Sequence, residues 1–312
     1  MFIAQAHRFP HEFWRYLIGS LLVIIASIVG QIPLLIALLM ENGIDSFAGD
    51  SQQMMASLDP NLLTFLMLFS FAVGFLGLFG ALRGLHQQSF KSVTTTRKRV
   101  DWKRILFGFS LVAIFTIVVT FIDYQTNPAH YELNFKPIPF LILFVIAVIF
   151  VPIQTSLEEY VFRGYLMQGF GLLAKNRWFP LLMTSLIFGG LHFFNPEVGQ
   201  MGNVIMVYYI GTGLFLGIMT LMDEGMELSL GFHAGNNLIG VLLVTADWTA
   251  FQSESILKDI SEPTAGADVL FPVLIIYPIF LLIMAKVYGW KNWKEKLFGK
   301  INIPETQLEA EN

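Results

Sequence analysis

Several strongly polar side chains lie within apolar sequence in the second half of the chain. They are Glu158, Glu159, Arg163, His192, His233 and Asn237. An ionisable group at membrane depth costs roughly 2.5–3.5 kcal/mol on insertion scales, and it therefore marks a functional site by default. A carboxylate and an imidazole can activate water, and an imidazole or an amide can donate hydrogen bonds to an oxyanion. The set therefore contains the groups needed to hydrolyse a peptide bond.

The spacing of the acidic pair gives its two members different surroundings on a helix. Neighbouring helical residues point about 100° apart, so Glu158 and Glu159 face different directions. Glu159 and Arg163 are four residues apart with the acid first, which is the favourable order for an ion pair. We predict that Arg163 neutralises Glu159, and that Glu158 stays unpaired and free to act. Taken alone, this stretch is also compatible with a surface cluster at a helix start.

The two histidines lie in two further apolar stretches. His192 occurs in LIFGGLHFFNP, where two glycines allow helices to approach closely. His233 and Asn237 occur four residues apart in LSLGFHAGNNLIG and therefore share one helix face. Each histidine alone could be a buried group that hydrogen-bonds a carbonyl or joins two helices. Together the three stretches predict a site assembled from three helices.

The composition indicates a membrane setting. Of the 312 residues, 55% are hydrophobic and 13% are charged, and the mean hydropathy is +0.63. A soluble domain carries about 25% charged residues. The chain has no cysteine, which excludes disulfides, thiolate zinc sites and thiol catalysis. The N-terminal segment shows no cleavable signal pattern. We predict an all-α, polytopic membrane bundle in contact with the lipid bilayer and without a nucleic-acid partner.

Apolar stretches long enough to cross roughly 30 Å of hydrocarbon recur along the chain. The sequence predicts eight spans, at about 17–40, 61–85, 105–122, 138–155, 179–194, 204–222, 228–246 and 269–289. Basic residues then concentrate in alternate loops, and the positive-inside rule places both termini in the cytoplasm. We expect an integral protein of the plasma (inner) membrane.

The chain divides into four parts. Residues 1–137 form an N-terminal region of three spans with the basic cytoplasmic loop 87–104, and residues 138–246 form the catalytic membrane core. Residues 247–300 comprise an outer loop, the last span and a basic end. We expect 301–312 to be a disordered tail.

Pro152 complicates the fourth span. Straight helices would place Glu158 near the inner surface and His192 towards the outer one, whereas a working site needs both at one depth. We therefore expect a break or strong tilt at 152–157, with 157–173 as a separate helix on the cytoplasmic side. Broken helices are tolerated at membrane depth where they line a cavity.

The three motifs together resemble those of one protease family. EEYVFR (158–163) is similar to the EExxxR motif of the CPBP family, the CAAX protease and bacteriocin-processing group also called Abi. FGGLH (188–192) matches its FxxxH motif, and HAGNN (233–237) matches its HxxxN motif. The order, the spacing and the eight-span layout agree with the family over about 138–246. The resemblance does not explain the first two spans or the loop 247–268.

The resemblance implies an intramembrane endopeptidase. Glu158 would be the general base, and His192 would help to hold and polarise the attacking water. His233 and Asn237 would form the oxyanion hole.

The same resemblance gives Glu159 and Arg163 a structural role and leaves the use of a metal open. Glu158, His192 and His233 would make a His₂Glu set, which is the ligand type of some catalytic zinc sites. The chain has no HExxH, so no compact ligand pair fixes such a site locally. The family has been described both as metalloproteases and as metal-free glutamate proteases. We favour water activated by Glu158 without a cofactor, with zinc as the alternative.

Three functions are compatible with the sequence. The first is proteolysis of a membrane-associated protein or peptide, such as a prenylated CAAX-type protein, a pheromone or a bacteriocin. The second is a non-proteolytic immunity or interaction protein with the same fold. The third is a proton-coupled transporter that uses Glu158 and the histidines as a relay. The sequence contains no inverted repeat in support of transport, and the ordered motif set favours proteolysis.

Overall fold

The computed structural model describes residues 1–43, 57–264 and 266–301. In these residues the α-helices are α1 (Phe13–Asn42), α2 (Pro60–Gly80), α3 (Phe90–Thr94), α4 (Trp102–Thr126), α5 (Pro137–Glu159), α6 (Met167–Ala174), α7 (Trp178–Leu191), α8 (Pro196–Met201), α9 (Ile205–Asp223), α10 (Glu227–Leu243), α11 (Ala267–Phe271), α12 (Tyr277–Tyr288) and α13 (Trp293–Phe298). Segments of π-helix extend three of them, at Ala81–Leu85, Tyr160–Leu166 and Pro272–Ile276. Short 3-10 helices occur at Ile3–Arg8 and Pro128–His130.

The described helices form an all-α membrane bundle, as predicted. Six helical runs among the described residues are long and apolar enough to cross a membrane, and they begin at Phe13, Pro60, Trp102, Pro137, Ile205 and Val269. Large apolar side chains on their outer faces are more than half exposed, including Leu17, Leu141 and Leu282. Outward leucines on several helices suit lipid contact, because lipid tails are as apolar as leucine. The other two predicted spans correspond to the shorter helices α7 and α10.

Pro152 does not interrupt the fourth span. Helix α5, the π-helical segment Tyr160–Leu166 and helix α6 follow one another directly, as one 38-residue run from Pro137 to Ala174. The expected break at 152–157 and the separate helix over 157–173 are therefore wrong. The irregularity lies instead in the π-segment, directly after the acidic pair, and π-turns inside helices are frequent at functional sites.

Pro152 removes only one hydrogen bond of the run, the one that a backbone N–H at this position would donate to the carbonyl of Val148 four residues earlier. Helix α5 packs against α2 and α10. Neighbouring helices are among the groups that offset a proline in a membrane helix. At about 1.5 Å per residue the whole run is roughly 57 Å long, nearly twice the thickness of the hydrocarbon core. The run is therefore longer than the hydrocarbon core is thick.

The short length of helix α7, and not a break after Pro152, determines the depth of His192. The helix has 14 residues and ends at Leu191, so His192 follows the helix rather than lying inside a span over 179–194. Its length is about 21 Å, shorter than the roughly 30 Å of hydrocarbon. A helix of this length that starts at one surface ends part of the way across.

The connecting segments gather at two ends of the bundle. We call one of them the basic end, and it contains residues 1–12, 86–101, 175–177, 223–227 and 289–301. The backbone N–H of Phe2 donates to the Glu224 carboxylate at 2.5 Å, and Lys296 donates to the same carboxylate at 2.8 Å. The N–H of Met226 donates to the carbonyl of Thr94 at 2.7 Å. Segments that the eight-span layout assigns to one side therefore meet each other.

The opposite end carries a small sheet of three short strands, β1 (Tyr131–Leu133), β2 (Val244–Ala246) and β3 (Leu257–Asp259). Strand β3 lies in the middle, antiparallel to β1 and parallel to β2. The segments that the sequence assigns to the other side of the membrane therefore also meet each other.

The C-terminal residues of the described chain return to the basic end. Ile301, the first residue of the tail expected to be disordered, is buried, and its N–H donates to the carbonyl of Lys175 at 3.0 Å. The remaining tail residues, 302–312, lie outside the described residues.

Candidate active site

The acidic pair and the second histidine come from two helices in contact, α5 and α10. Helix α10 also lies unusually close to α4. A Cβ atom at Gly231 would lie 1.9 Å from the carbonyl oxygen of Ile105, and one at Gly235 would lie 2.8 Å from that of Phe109. Only glycine allows this approach, which fixes the position of α10 and of the polar side chains it carries.

Glu159 is fully buried and has two side-chain partners. Its Oε1 lies 3.0 Å from Nη1 of Arg163, so the predicted ion pair forms. Arg163 also donates to the carbonyl of Gly213 at 3.2 Å, and its guanidinium lies 4.4 Å from the ring centroid of Phe188. The second partner of Glu159 was not predicted: Nδ1 of His233 lies 2.9 Å from the same oxygen. Arg163 and Glu159 therefore connect α5, α9 and α10.

Glu158 points away from Glu159, as predicted, but it is not unpaired. Its Oε1 accepts a hydrogen bond from Nε2 of Gln154 at 2.6 Å, and its Oε2 lies 3.4 Å from Nε2 of His233. The prediction of an unpaired Glu158 is wrong because Gln154 lies one turn earlier on the same helix face. The side chain of Glu158 keeps 15% of its surface exposed, whereas that of Glu159 keeps none.

The ring of His233 therefore lies between two carboxylates. Nδ1 faces Glu159 and Nε2 faces Glu158. An ionised carboxylate only accepts hydrogen bonds, so Nδ1 must carry a proton. One imidazole therefore contacts both members of the acidic pair.

Asn237 lies one helical turn after His233, on the same face of α10. Its Nδ2 donates to Oε1 of Gln154 at 3.3 Å, and its Oδ1 accepts from Nδ2 of Asn236 at 3.1 Å. Gln154 thus connects Asn237 with Glu158. The structure brings Glu158, His233 and Asn237 together.

His192 stands slightly apart from this group. Its Nδ1 hydrogen-bonds the carbonyl oxygen of Phe188 at 2.8 Å, and its ring stacks on Tyr209 at 4.5 Å. The Phe188 ring lies 4.8 Å from the His192 ring and 6.1 Å from the His233 ring. In the described part of the chain no hydrogen bond or ion pair joins His192 to Glu158. The two histidines are therefore separated by one aromatic side chain.

Two residues of this site were missed by sequence reasoning. Gln154 could have been found, because it precedes Glu158 by four residues, the same spacing that identified the Glu159–Arg163 pair. Tyr209 carries no comparable signal, since one tyrosine in an apolar helix is usual. Only the packing of α9 against α7 places it on His192.

The three side chains of the expected His₂Glu zinc set are not gathered into one group. Glu158 and His233 face each other at 3.4 Å, but His192, the third residue of the expected set, lies beyond Phe188. Among the described residues no three His, Cys, Asp or Glu side chains form a group that could hold a metal ion.

Comparison with known proteins identifies two similarities. Residues 137–239 match the family model described as type II CAAX prenyl endopeptidase Rce1-like. Over 287 residues the chain is 30% identical to the uncharacterized protein YyaK of Bacillus subtilis (strain 168), which covers 91% of this chain and 93% of that protein. No solved structure matches the chain. The matched region contains α5, α7, α9 and most of α10, and so all the site residues described above.

Proposed function

The chain belongs to the CPBP family, and on that premise we propose that it is an intramembrane endopeptidase of the CAAX type. The observation that carries the proposal is the position of His233 between two carboxylates, one buried and one partly exposed. The buried carboxylate orients the ring, and the exposed one is accessible to water. Asn237, an amide donor, lies one turn away.

Glu158 is the general base in this proposal. It takes a proton from a water molecule while the water oxygen attacks the carbonyl carbon of the scissile bond. The tetrahedral intermediate then collapses, its C–N bond breaks, and the amine leaves with the proton returned by Glu158. Proton transfer of this kind contributes about 10²–10⁴-fold to a rate.

His233 and Asn237 stabilise the oxyanion of the intermediate. Asn237 donates from its amide nitrogen. His233 donates from Nε2 when that nitrogen is protonated, and the Glu159 carboxylate at Nδ1 balances the charge of the ring while Glu158 holds the water proton. Glu159 and Arg163 act through His233 by holding its ring in place.

His192 holds the attacking water. Its Nδ1 is used by the carbonyl of Phe188, which leaves Nε2 of the neutral ring as an acceptor for a water proton. Stacking of the His192 ring on Tyr209 and its tilted contact with Phe188 fix the plane of the ring. In this proposal the water molecule lies between His192 and Glu158.

We propose that all eight apolar helices enter the membrane and that the basic end, with both termini, faces the cytoplasm. Lysine and arginine are concentrated in the segments that meet there, and the positive-inside rule assigns such segments to the cytoplasmic side. The site then faces substrates of the plasma membrane. The substrate class is a membrane-associated protein or peptide, of the prenylated CAAX, pheromone or bacteriocin type.

The test compares protein and peptide termini in membranes of cells that express three forms at matched levels. These are the wild type, Glu158→Gln and Glu12→Gln. The second variant removes an equal charge from an exposed position outside the site. We expect new termini with the wild type and Glu12→Gln and none with Glu158→Gln.

Such termini would identify both the substrates and the bond that is cut. Identical termini in all three membranes would overturn the proposal and favour a non-proteolytic immunity or interaction protein. A proton or solute flux that depends on Glu158, without new termini, would instead indicate a transporter.

A further inference from the structure

A chain of three hydrogen bonds crosses from α10 to Glu158, and all of its donors point the same way. Asn236 donates to Asn237 at 3.1 Å, Asn237 donates to Gln154 at 3.3 Å, and Gln154 donates to Glu158 at 2.6 Å. Each amide in the middle accepts with its oxygen and donates with its nitrogen. The proposed general base, Glu158, and the proposed oxyanion donor, Asn237, therefore belong to one ordered series of hydrogen bonds.

The charge on Glu158 determines this order. An ionised carboxylate only accepts, so Gln154 must turn its NH₂ group towards Glu158 and its oxygen towards Asn237. That oxygen in turn requires the NH₂ group of Asn237. The opposite order would place the oxygen of Gln154 against the carboxylate, where two acceptors repel each other. The amide of Asn237 therefore has one favoured orientation as long as Glu158 is ionised.

Gln154 is an unusual residue for its place. It is buried in an apolar helix two positions after Pro152, where it has only 5% of its surface exposed. A buried amide without partners costs roughly 1–3 kcal/mol by mutational measures, and both polar ends of Gln154 are indeed used. Its two partners are the residues proposed as base and oxyanion donor.

We propose that Gln154 is a positioning residue that keeps the NH₂ group of Asn237 directed at the reaction centre, an inference that rests on the proposed function. The Asn237 nitrogen carries two hydrogens. Gln154 binds one of them, and the other is available to the developing oxyanion. Without Gln154 the Asn237 amide can rotate and present its oxygen, which repels an oxyanion. Gln154 itself does not touch the reacting atoms.

The first measurement compares Gln154→Met with Gln168→Met. Both glutamines are buried in the same helical run, and Gln168 hydrogen-bonds Gln88 and the carbonyls of Phe2 and Ser92, at the basic end. For Gln154→Met we expect kcat to fall roughly 10–100-fold, since small losses of alignment cost up to about 10²-fold, while KM changes little. For Gln168→Met we expect a lower melting temperature and an unchanged kcat. Equal kcat values for the two variants would overturn the proposal.

Gln154→Glu keeps the test decisive if the methionine variant does not fold. It preserves the shape of the side chain but, when ionised, cannot donate to Glu158. We expect a kcat at least as low as that of Gln154→Met. Wild-type kcat in a folded Gln154→Glu protein would overturn the positioning role.

A double-mutant cycle tests whether Gln154 acts through Asn237. If it does, Gln154→Met combined with Asn237→Ala lowers kcat by clearly less than the product of the two single effects. A loss equal to that product would show that the residues act independently and would overturn the inference.

Infrared spectra separate this inference from the proposed function, because they need no substrate. The difference between wild type and Glu158→Gln identifies the carboxylate stretching band of Glu158. We expect this band to shift in Gln154→Met and to stay in place in Gln168→Met. An unshifted band would overturn the hydrogen-bond chain even if the wild type is a protease. A shifted band with no cleavage by the wild type would overturn the proposed function but would support the chain of hydrogen bonds.

Discussion

Two clusters of buried charge among the described residues differ in the groups that pair their acids. At the basic end, Asp223 and Glu227 share Arg97, at 2.8 and 3.0 Å, and Arg104 binds Asp223 as well. In the active-site cluster, Glu158 and Glu159 have a single guanidinium between them, that of Arg163, and it contacts only Glu159.

The pairing distinguishes the cluster to which the proposed function assigns catalysis from the one at the basic end. The two buried acids, Asp223 and Glu227, face Arg97 and Arg104, and Trp290 adds a further hydrogen bond to Asp223 at 3.1 Å. Arg104 also pairs with the more exposed Asp101 at 3.2 Å.

In the candidate active site Glu158 faces the imidazole of His233 and the amide of Gln154 in place of a guanidinium. Arginine-paired charge joins segments of the fold at the basic end, whereas the proposed function assigns proton transfer to Glu158, which no arginine or lysine contacts among the described residues.

Exchanging one acid in each cluster for its amide tests this difference most strongly. Glu158→Gln should lower activity by roughly 10⁴-fold, the upper end for a lost general base, and leave thermal stability near that of the wild type. Glu227→Gln should do the opposite. It should lower the free energy of unfolding by roughly 1.5–3 kcal/mol, the range for a charged hydrogen bond, at unchanged activity per folded molecule.

Activity assays on purified protein, normalised to the folded fraction, check both expectations. If Glu227→Gln lost activity while remaining folded, the basic end would belong to the catalytic machinery and the distinction between the clusters would fail.

Arg163→Ala removes the fixed cation of the active-site cluster. We expect the free energy of unfolding to fall by about 3–5 kcal/mol, because the change leaves Glu159 buried with only His233 as partner. Arg15→Ala is the matched control, since its pair with Glu12 is partly exposed, and such pairs contribute about 0–1 kcal/mol. Thermal or denaturant unfolding in detergent measures both. A stable and fully active Arg163→Ala protein would contradict the structural role of the Glu159–Arg163 pair.

The sequence predicts Arg163 as the partner of Glu159, but it does not predict the contacts of His233 and Gln154 with the acidic pair. The reason is physical. The Glu159–Arg163 pair follows from helix periodicity alone, which depends only on local geometry. The contact of His233 with Glu159 joins residues 74 positions apart and depends on how closely α10 approaches α4. Periodicity gives no information about that distance.

The shape of the membrane core was predicted in part for a similar reason. Apolar length identifies the six long runs, because any helix that crosses the bilayer needs about 20 apolar residues. Helix α5 continues past Pro152 in a bundle where it packs against α2 and α10, so the local rule for proline gives the wrong answer. The position of His192 depends on the end of α7 at Leu191, and helix ends are the least predictable features of a sequence.

Asn237→Ala should lower kcat by about 10²–10³-fold, or about 2.7–4 kcal/mol, which is the usual effect of losing one oxyanion donor. Stability should change much less, because Asn237 is only partly buried. Asn237→Asp provides the matched control, since it keeps the shape of the side chain but replaces the donor with a carboxylate. Asn237→Asp should lower kcat at least as much as Asn237→Ala, at full expression of both variants. Activity in the aspartate variant would show that Asn237 does not donate to the oxyanion.

The smallest expected effect is at the basic end and concerns pH. Burial opposes ionisation of the Glu224 carboxyl, but its hydrogen bond with Lys296 and the charge of that lysine outweigh burial and hold the pKa of Glu224 below its ordinary value of 4.5. A lowered pKa in the folded state contributes stability above the unfolded value, and that contribution is lost as the pH falls through the folded pKa.

Because the pair of Glu224 and Lys296 is partly exposed, we expect its contribution to the free energy of unfolding to be less than about 1 kcal/mol. Lys296→Met should therefore reduce the stability difference between about pH 7 and about pH 4, whereas Lys294→Met on the same helix should not. Since ion pairs at this end only join segments, neither variant should change kcat at neutral pH, and a change in kcat would mean that charge at the basic end is coupled to the active site.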